Sequence, residues 1–174
     1  PARAAARPVA ARQAPTPAQK DDAVLPPVDF DLDQAVPYLV ARAGMRMGQV
    51  FSQQLKAFDL NLTEWRVCAS LHHRPHQRLS ELALNTSAEP STLSRTVESL
   101  LQRKLLVRDR ADEDARALAL SLTPEGATLA ERVIPLAHLY ERVALAGIAK
   151  HQADALKDML RRLYDNVGLL DGDG

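Results

Sequence analysis

The sequence predicts a mainly α-helical fold with one small β-hairpin, and three observations predict it. Apolar residues recur at helical spacing from Val36 onward, two short segments, "LLVRDR" and "ALALSLT", alternate instead, and an acidic stretch separates those two. The chain of 174 residues is long enough for one domain with an appendage, and 46% apolar and 25% charged residues are ordinary for a globular protein.

The elements follow in order. Residues 1–28 are rich in Ala and Pro, with Arg3, Arg7, Arg12 and Lys20 scattered among them, and read as a disordered tail. Val36, Leu39, Val40, Ala43, Met47, Val50, Phe51, Leu55 and Phe58 form a stripe of helical period, so the segment 29–60 holds a long amphipathic helix with Pro37 in its first turn. "LNLTEWRVCASLHH" predicts a shorter helix capped by Thr63, with Trp65, Cys68, Ala69 and Leu71 facing inward. "RLSELALNTS" predicts a third helix from about Ser80 to Asn85 that buries Leu79, Leu82 and Ala83. Pro90 opens a fourth, ending near Lys104, whose apolar stripe is Leu93, Val97, Leu100, Leu101 and Leu105. Two strands then flank a loop from Ala111 to Arg116, the second burying Leu118, Leu120 and Leu122. Thr123-Pro124 caps a fifth helix, in which Pro135 should introduce a kink, and a sixth carries Leu156, Met159, Leu160, Leu163 and Val167.

Composition excludes several functions. Lys plus Arg equals Asp plus Glu at 22 each, so any nucleic-acid affinity comes from local patches. No run of about 18 apolar residues is available to span a membrane, and "PARAAARPVAARQ" lacks a signal-type apolar stretch, so a cytoplasmic protein is expected. The single Cys68 forms no internal disulfide and reads as a small buried apolar residue.

Two short helices joined by a turn and followed by a hairpin make a winged helix-turn-helix over residues 61–122. The face of the fourth helix opposite its leucines shows Ser91, Thr92, Arg95 and Ser99, small hydroxyls and a guanidinium suited to a major groove about 12 Å wide. Helix N-terminal amides near Ser91 favour a phosphate, which Glu89 opposes unless it caps the helix. At the hairpin tip Arg110 or Arg116 is expected to reach the minor groove. Asp114, in the acidic run "DEDAR", is assigned to orienting Arg116 or Arg95.

The strings "LTEW", "LSELA", "STLSR", "LLVRDR", "DAR" and "LTPEG", in this order between Leu62 and Gly126, resemble the MarR family of bacterial transcription regulators. The resemblance implies a homodimer in which the long first helix and the helices of 123–170 interlock, with two winged domains on one palindromic DNA operator. Carried over, Ser91, Thr92, Ser94 and Arg95 lie where the family meets DNA, and Asp114 and Arg116 match its wing signature. Ala115 departs from the usual Asp-Arg-Arg. Apart from the resemblance, the outer helices bear apolar stripes that one small domain cannot cover, which independently predicts a dimer, with recognition helices about 34 Å apart.

Such regulators usually sense a small aromatic carboxylate in a crevice between dimer helices and DNA-binding lobe. The candidates are Arg42, Met45, Arg46, Trp65, Arg66, Cys68, His72 and His73, where Arg pairs with a carboxylate and Trp and Met supply apolar walls. Within the family, the chain resembles repressors of nicotinate catabolism that answer to a hydroxylated pyridine carboxylate. No cofactor is predicted. His72, His73 and His76 lie close in sequence, yet adjacent helical residues point about 100° apart, a poor start for tetrahedral zinc. A nucleophile elbow, a phosphate loop and a His-Glu-x-x-His signature are all missing, so an enzyme is not expected. The predicted function is a ligand-responsive, sequence-specific repressor; a metal- or redox-sensing regulator of the same fold, or a winged helix that binds only protein, stays open.

Overall fold

The structure, a computed structural model, describes residues 30–168 apart from 112 and 113, and for the segment 110–118 it describes the backbone alone. The disordered tail expected over 1–28 lies outside the described residues. Six helices and one hairpin follow one another: α1 (Val36–Leu55), α2 (Leu62–His73), α3 (Leu79–Thr86), α4 (Pro90–Gln102), β1 (Leu106–Ala111), β2 (Asp114–Leu122), α5 (Pro124–Ala144) and α6 (Lys150–Gly168). The expected class, mainly α with a hairpin wing, is what the chain adopts.

α2 is the centre of the fold and touches α1, α3, α4, α5 and β2. Its Val67, Cys68 and Leu71 are fully or almost fully buried, and Leu55, Leu82, Leu93, Leu100 and Val133 close on them from the other helices. Phe51 of α1 stands edge-on to Trp65 of α2 and Tyr140 of α5, with ring centroids 6.0 and 5.2 Å apart. Such pairs add about 1 kcal/mol each beyond the area they bury.

Several boundaries differ from expectation. The cap of α2 is Asn61, not Thr63: its side chain accepts from the Glu64 amide while the Glu64 carboxylate accepts from the Asn61 amide. Reciprocal bonding satisfies two groups at once, which a lone Thr cannot do. α1 gives way to a 3-10 turn, Lys56–Phe58, before Asp59 turns the chain with φ at 53°. α3 begins at Leu79, and that leucine is exposed rather than buried. α4 stops at Gln102, two residues short of Lys104, which takes the left-handed conformation with φ at 58°. The hairpin is longer and its turn tighter than predicted, because β1 runs through Ala111 and β2 already begins at Asp114, with an irregular register beyond the Arg110–Leu118 pair. Ala119 and Ser121 are buried as well as Leu120, since a short third pairing, Gln77 to Leu120, brings the chain before α3 alongside β2.

Thr123 caps α5 as predicted, accepting from the Gly126 amide at 3.0 Å and donating to the Lys104 carbonyl at 2.8 Å. α5 continues through Pro135; before that residue it buries Gly126, Ala130 and Val133, and after it Leu139 and Val143 are exposed. Of the α6 residues described, only Ala153 is buried.

Candidate nucleic-acid interface

α3 and α4 are joined by a turn in which Ser87 adopts φ of 49°, and α4 starts immediately after with Pro90 at its first position. Leu93, Thr96, Val97 and Leu100 seat α4 on the core. The opposite face therefore exposes Ser91, Thr92, Ser94 and Arg95, as the amphipathic pattern requires. The Ser94 hydroxyl donates to the Pro90 carbonyl at 2.9 Å. Glu89 occupies the cap position without a side-chain capping bond.

Ser99 does not share that face. It is half-buried and donates to Glu64 Oε1 at 3.3 Å, because the helix turns it toward α2. Glu64 is in turn held by Arg103, whose Nη1 lies 3.1 Å from Oε1 and whose Nη2 reaches the Asp59 carboxylate at 3.1 Å and the Asp59 carbonyl at 2.6 Å. One arginine thus bolts the end of α4 to the start of α2 and to the turn after α1. A second link, Arg108 to Glu98 at 3.0 Å, ties α4 to β1. Sequence reasoning missed the Glu64–Arg103 pair; the Asn-x-x-Glu spacing of a capping box was its one visible sign.

The side chains of Arg110, Asp114 and Arg116 lie outside the described residues. Backbone alone puts Asp114 inside β2 rather than in a loop, and pairs Arg110 with Leu118.

The eight ligand candidates do not form one cluster. Trp65, Arg66 and His73 line a hollow of about 580 Å³ with Ser70, Arg74 and the end of α3, Asn85 to Ser87. Trp65, His72 and His73 also line an adjoining hollow of about 450 Å³ closed by Ile134, Ala137 and His138 of α5. Arg42, Met45 and Arg46 line a third, of about 510 Å³, along α1, and it shares no residue with the other two. Cys68 lines none of these. It is fully buried, and burial, with Glu64 adding and Arg103 opposing, pushes its thiol up to about 12. A thiol held neutral in this way is neither a ligand contact nor a ready redox centre.

A helix-turn-helix whose second helix shows a small polar face beside a two-stranded wing is a DNA-binding module of the winged-helix class. Residues 60–118 match the MarR family. The curated proteins the chain resembles are transcription regulators. Over 140 residues it is 28% identical to the HTH-type transcriptional repressor NicR of Pseudomonas putida, spanning 79% of this chain and 87% of that one. It is 26% identical over 133 residues to the HTH-type transcriptional repressor IacR of Pseudomonas putida, spanning 76% and 80%. Among solved structures, it superposes with a TM-score of 0.69 and 25% identity on Bordetella bronchiseptica BpsR, a protein described as regulated in DNA binding by 6-hydroxynicotinic acid, covering 78% of this chain and 97% of that one.

Proposed function

We propose that this chain is a cytoplasmic repressor that holds a palindromic operator as a homodimer and lets go when a small aromatic carboxylate enters the hollow beside Trp65. The observation that carries this reading is the hollow's composition and position. Two guanidinium-bearing residues, Arg66 and Arg74, and an imidazole, His73, flank an indole, and the far wall is the turn that leads into α4. Arginine pairs with a carboxylate, the indole supplies an apolar wall, and the turn is where a bound acid displaces the recognition helix. The similarity to a protein regulated by 6-hydroxynicotinic acid supports a hydroxylated pyridine carboxylate as the first acid to try.

On DNA, Ser91, Thr92, Ser94 and Arg95 meet the major groove, while Arg110 or Arg116 from the wing reaches the minor groove, with Asp114 orienting Arg116 or Arg95. Arg42, Met45 and Arg46 line a separate hollow on α1 and are left out of the effector site. The acid needs only modest selectivity: a hundredfold preference for a dimer with misplaced helices amounts to about 2.7 kcal/mol.

The test is capture of genomic fragments by the purified protein, followed by fluorescence anisotropy on the enriched sequence with and without 6-hydroxynicotinic acid and plain benzoate. Release by one of these acids, lost in Arg66→Ala with Arg74→Ala, is the expected result. Enrichment of no sequence removes the repressor reading, and release that survives the double substitution removes this hollow as its site.

A further inference from the structure

We propose that Gln77 is a positioning residue that ties the hollow beside Trp65 to the wing, so that a change at the hollow is transmitted to β2. The proposal rests on the reading of that hollow as the effector site. Gln77 is 4% exposed, in the short segment between α2 and α3. Its Nε2 donates to the carbonyls of Ser70 at 2.9 Å and Arg74 at 2.6 Å, and its Oε1 accepts from Asn85 Nδ2 at 2.6 Å and the Ser70 hydroxyl at 3.2 Å. A side-chain amide has two N–H groups and two acceptor positions, and here all four are used. The three residues it holds, Ser70, Arg74 and Asn85, all line the hollow.

The backbone of the same residue points the other way. Its amide donates to the Leu120 carbonyl at 3.2 Å and its carbonyl accepts from the Leu120 amide at 2.8 Å, so Gln77 is paired with β2 on both sides. The preceding residue adds a second tie, His76 Nδ1 to the Ser121 hydroxyl at 3.0 Å, and does so with φ at 58°. A non-glycine residue held in the left-handed region stays there only where its surroundings fix it.

A carboxylate that draws the Asn85 side chain inward, or pulls Arg74 far enough to move its carbonyl, removes a partner from an amide with none to spare. In a buried setting that amide then shifts to recover a bond, because leaving one unmade is costly. Its own backbone carries the shift to Leu120. Leucine or methionine at this position fills similar space but holds neither Ser70 nor Asn85, so it keeps the β pairing and cuts the tie. A residue that merely stabilised the fold would not separate these two effects.

The experiment is amide hydrogen exchange on the full chain, crossing Asn85→Ala with Gln77→Leu, and with Gln77→Met should the leucine variant not fold. Asn85→Ala is expected to speed exchange of the Leu120 amide about tenfold when Gln77 is present and less than about twofold when it is absent, with Ala130 and Val133 unchanged throughout. Equal acceleration in both backgrounds, or none with Gln77 present, overturns the proposal. In parallel, 6-hydroxynicotinic acid is titrated against the emission of Trp65. A silent titration removes that acid from the hollow and leaves the exchange result to judge Gln77 by itself. When emission does respond, the acid is expected to change Leu120 exchange in the natural protein and not in Gln77→Met; the same change in both also overturns the proposal.

Discussion

Glu64 sets the energetics at the residue scale. Its side chain is 9% exposed, and its charge is met by Arg103, by the Ser99 hydroxyl and by the Asn61 amide. Taking away Arg103 leaves a desolvated carboxylate with its main counter-charge gone, which costs about 3 kcal/mol. Urea unfolding of Arg103→Ala should show that loss, and a loss below about 1 kcal/mol would mean solvent reaches Glu64 after all. Cys68 next to it gives a pH signature. The folded chain keeps the thiol proton up to about 12, whereas the ordinary value is 9.0. With the folded value raised, the contribution is fully present below pH about 9 and is lost as pH rises toward 12. Stability should therefore fall more steeply above pH 9 in the natural protein than in Cys68→Ala; parallel curves from denaturation at several pH values would count against it.

At the scale of elements, the first turn of α5 packs closely on the segment between α4 and the wing. A Cβ at Gly126 would lie 2.1 Å from the Leu105 carbonyl oxygen and 3.2 Å from Leu122 Cδ2. Gly126→Ala must push the first turn of α5 away from the base of the hairpin, costing about 3 kcal/mol or more by calorimetry. The motif "LTPEG" thus states a packing demand: Thr caps, Pro starts the helix, and Gly lets it approach. For α4, Arg95→Ala should weaken operator binding by about 1–3 kcal/mol and relax selectivity at one position, read by anisotropy against operator variants. Unchanged affinity and selectivity would move the readout elsewhere.

The legibility of these elements followed from how local their causes are. α1, α4 and α6 are long amphipathic stripes, and a stripe is visible in one sequence without knowing what it packs on. Pro90 and Thr123-Pro124 mark starts by local chemistry. The cap at Asn61 is equally local, but Thr63, two residues on and next to the apolar run, offers the same chemistry. Non-local facts were the ones out of reach. Ser99 has helical spacing compatible with the outer face, and only the position of Glu64, 35 residues earlier, decides that it turns inward. Gln77 carries no local signal, since its partners come from α2, the segment after it, α3 and β2 at once. The ligand candidates were chosen by residue type, and type cannot tell that Arg42 and Trp65 line different hollows.

On the scale of the whole molecule, the described surface is unbalanced. Val36, Leu39, Val40, Met47 and Val50 of α1, with Leu156, Met159, Leu160 and Leu163 of α6, are all more than a third exposed. Exposed apolar stripes of this kind are an aggregation hazard on a free monomer, whereas a second copy burying them makes a stable dimer. Light scattering at micromolar concentration should return twice the chain mass, and Leu160→Glu with Met159→Glu should return the single mass. Monomer in the natural protein would undo the two-site geometry on DNA. With formal charge balanced at zero, the pair carries no general attraction for phosphate. Its affinity should fall with salt only as steeply as the few arginines at the grooves allow.

Pro135 divides α5: the turns before it bury Gly126, Ala130 and Val133, and those after it leave Leu139 and Val143 exposed. Proline brings no amide hydrogen, so the Glu131 carbonyl is denied the bond that an interior helical carbonyl ordinarily receives. The helix is therefore one strut thinner at this collar. A bend of α5 is easiest at that collar, where the packing on either side can stay intact.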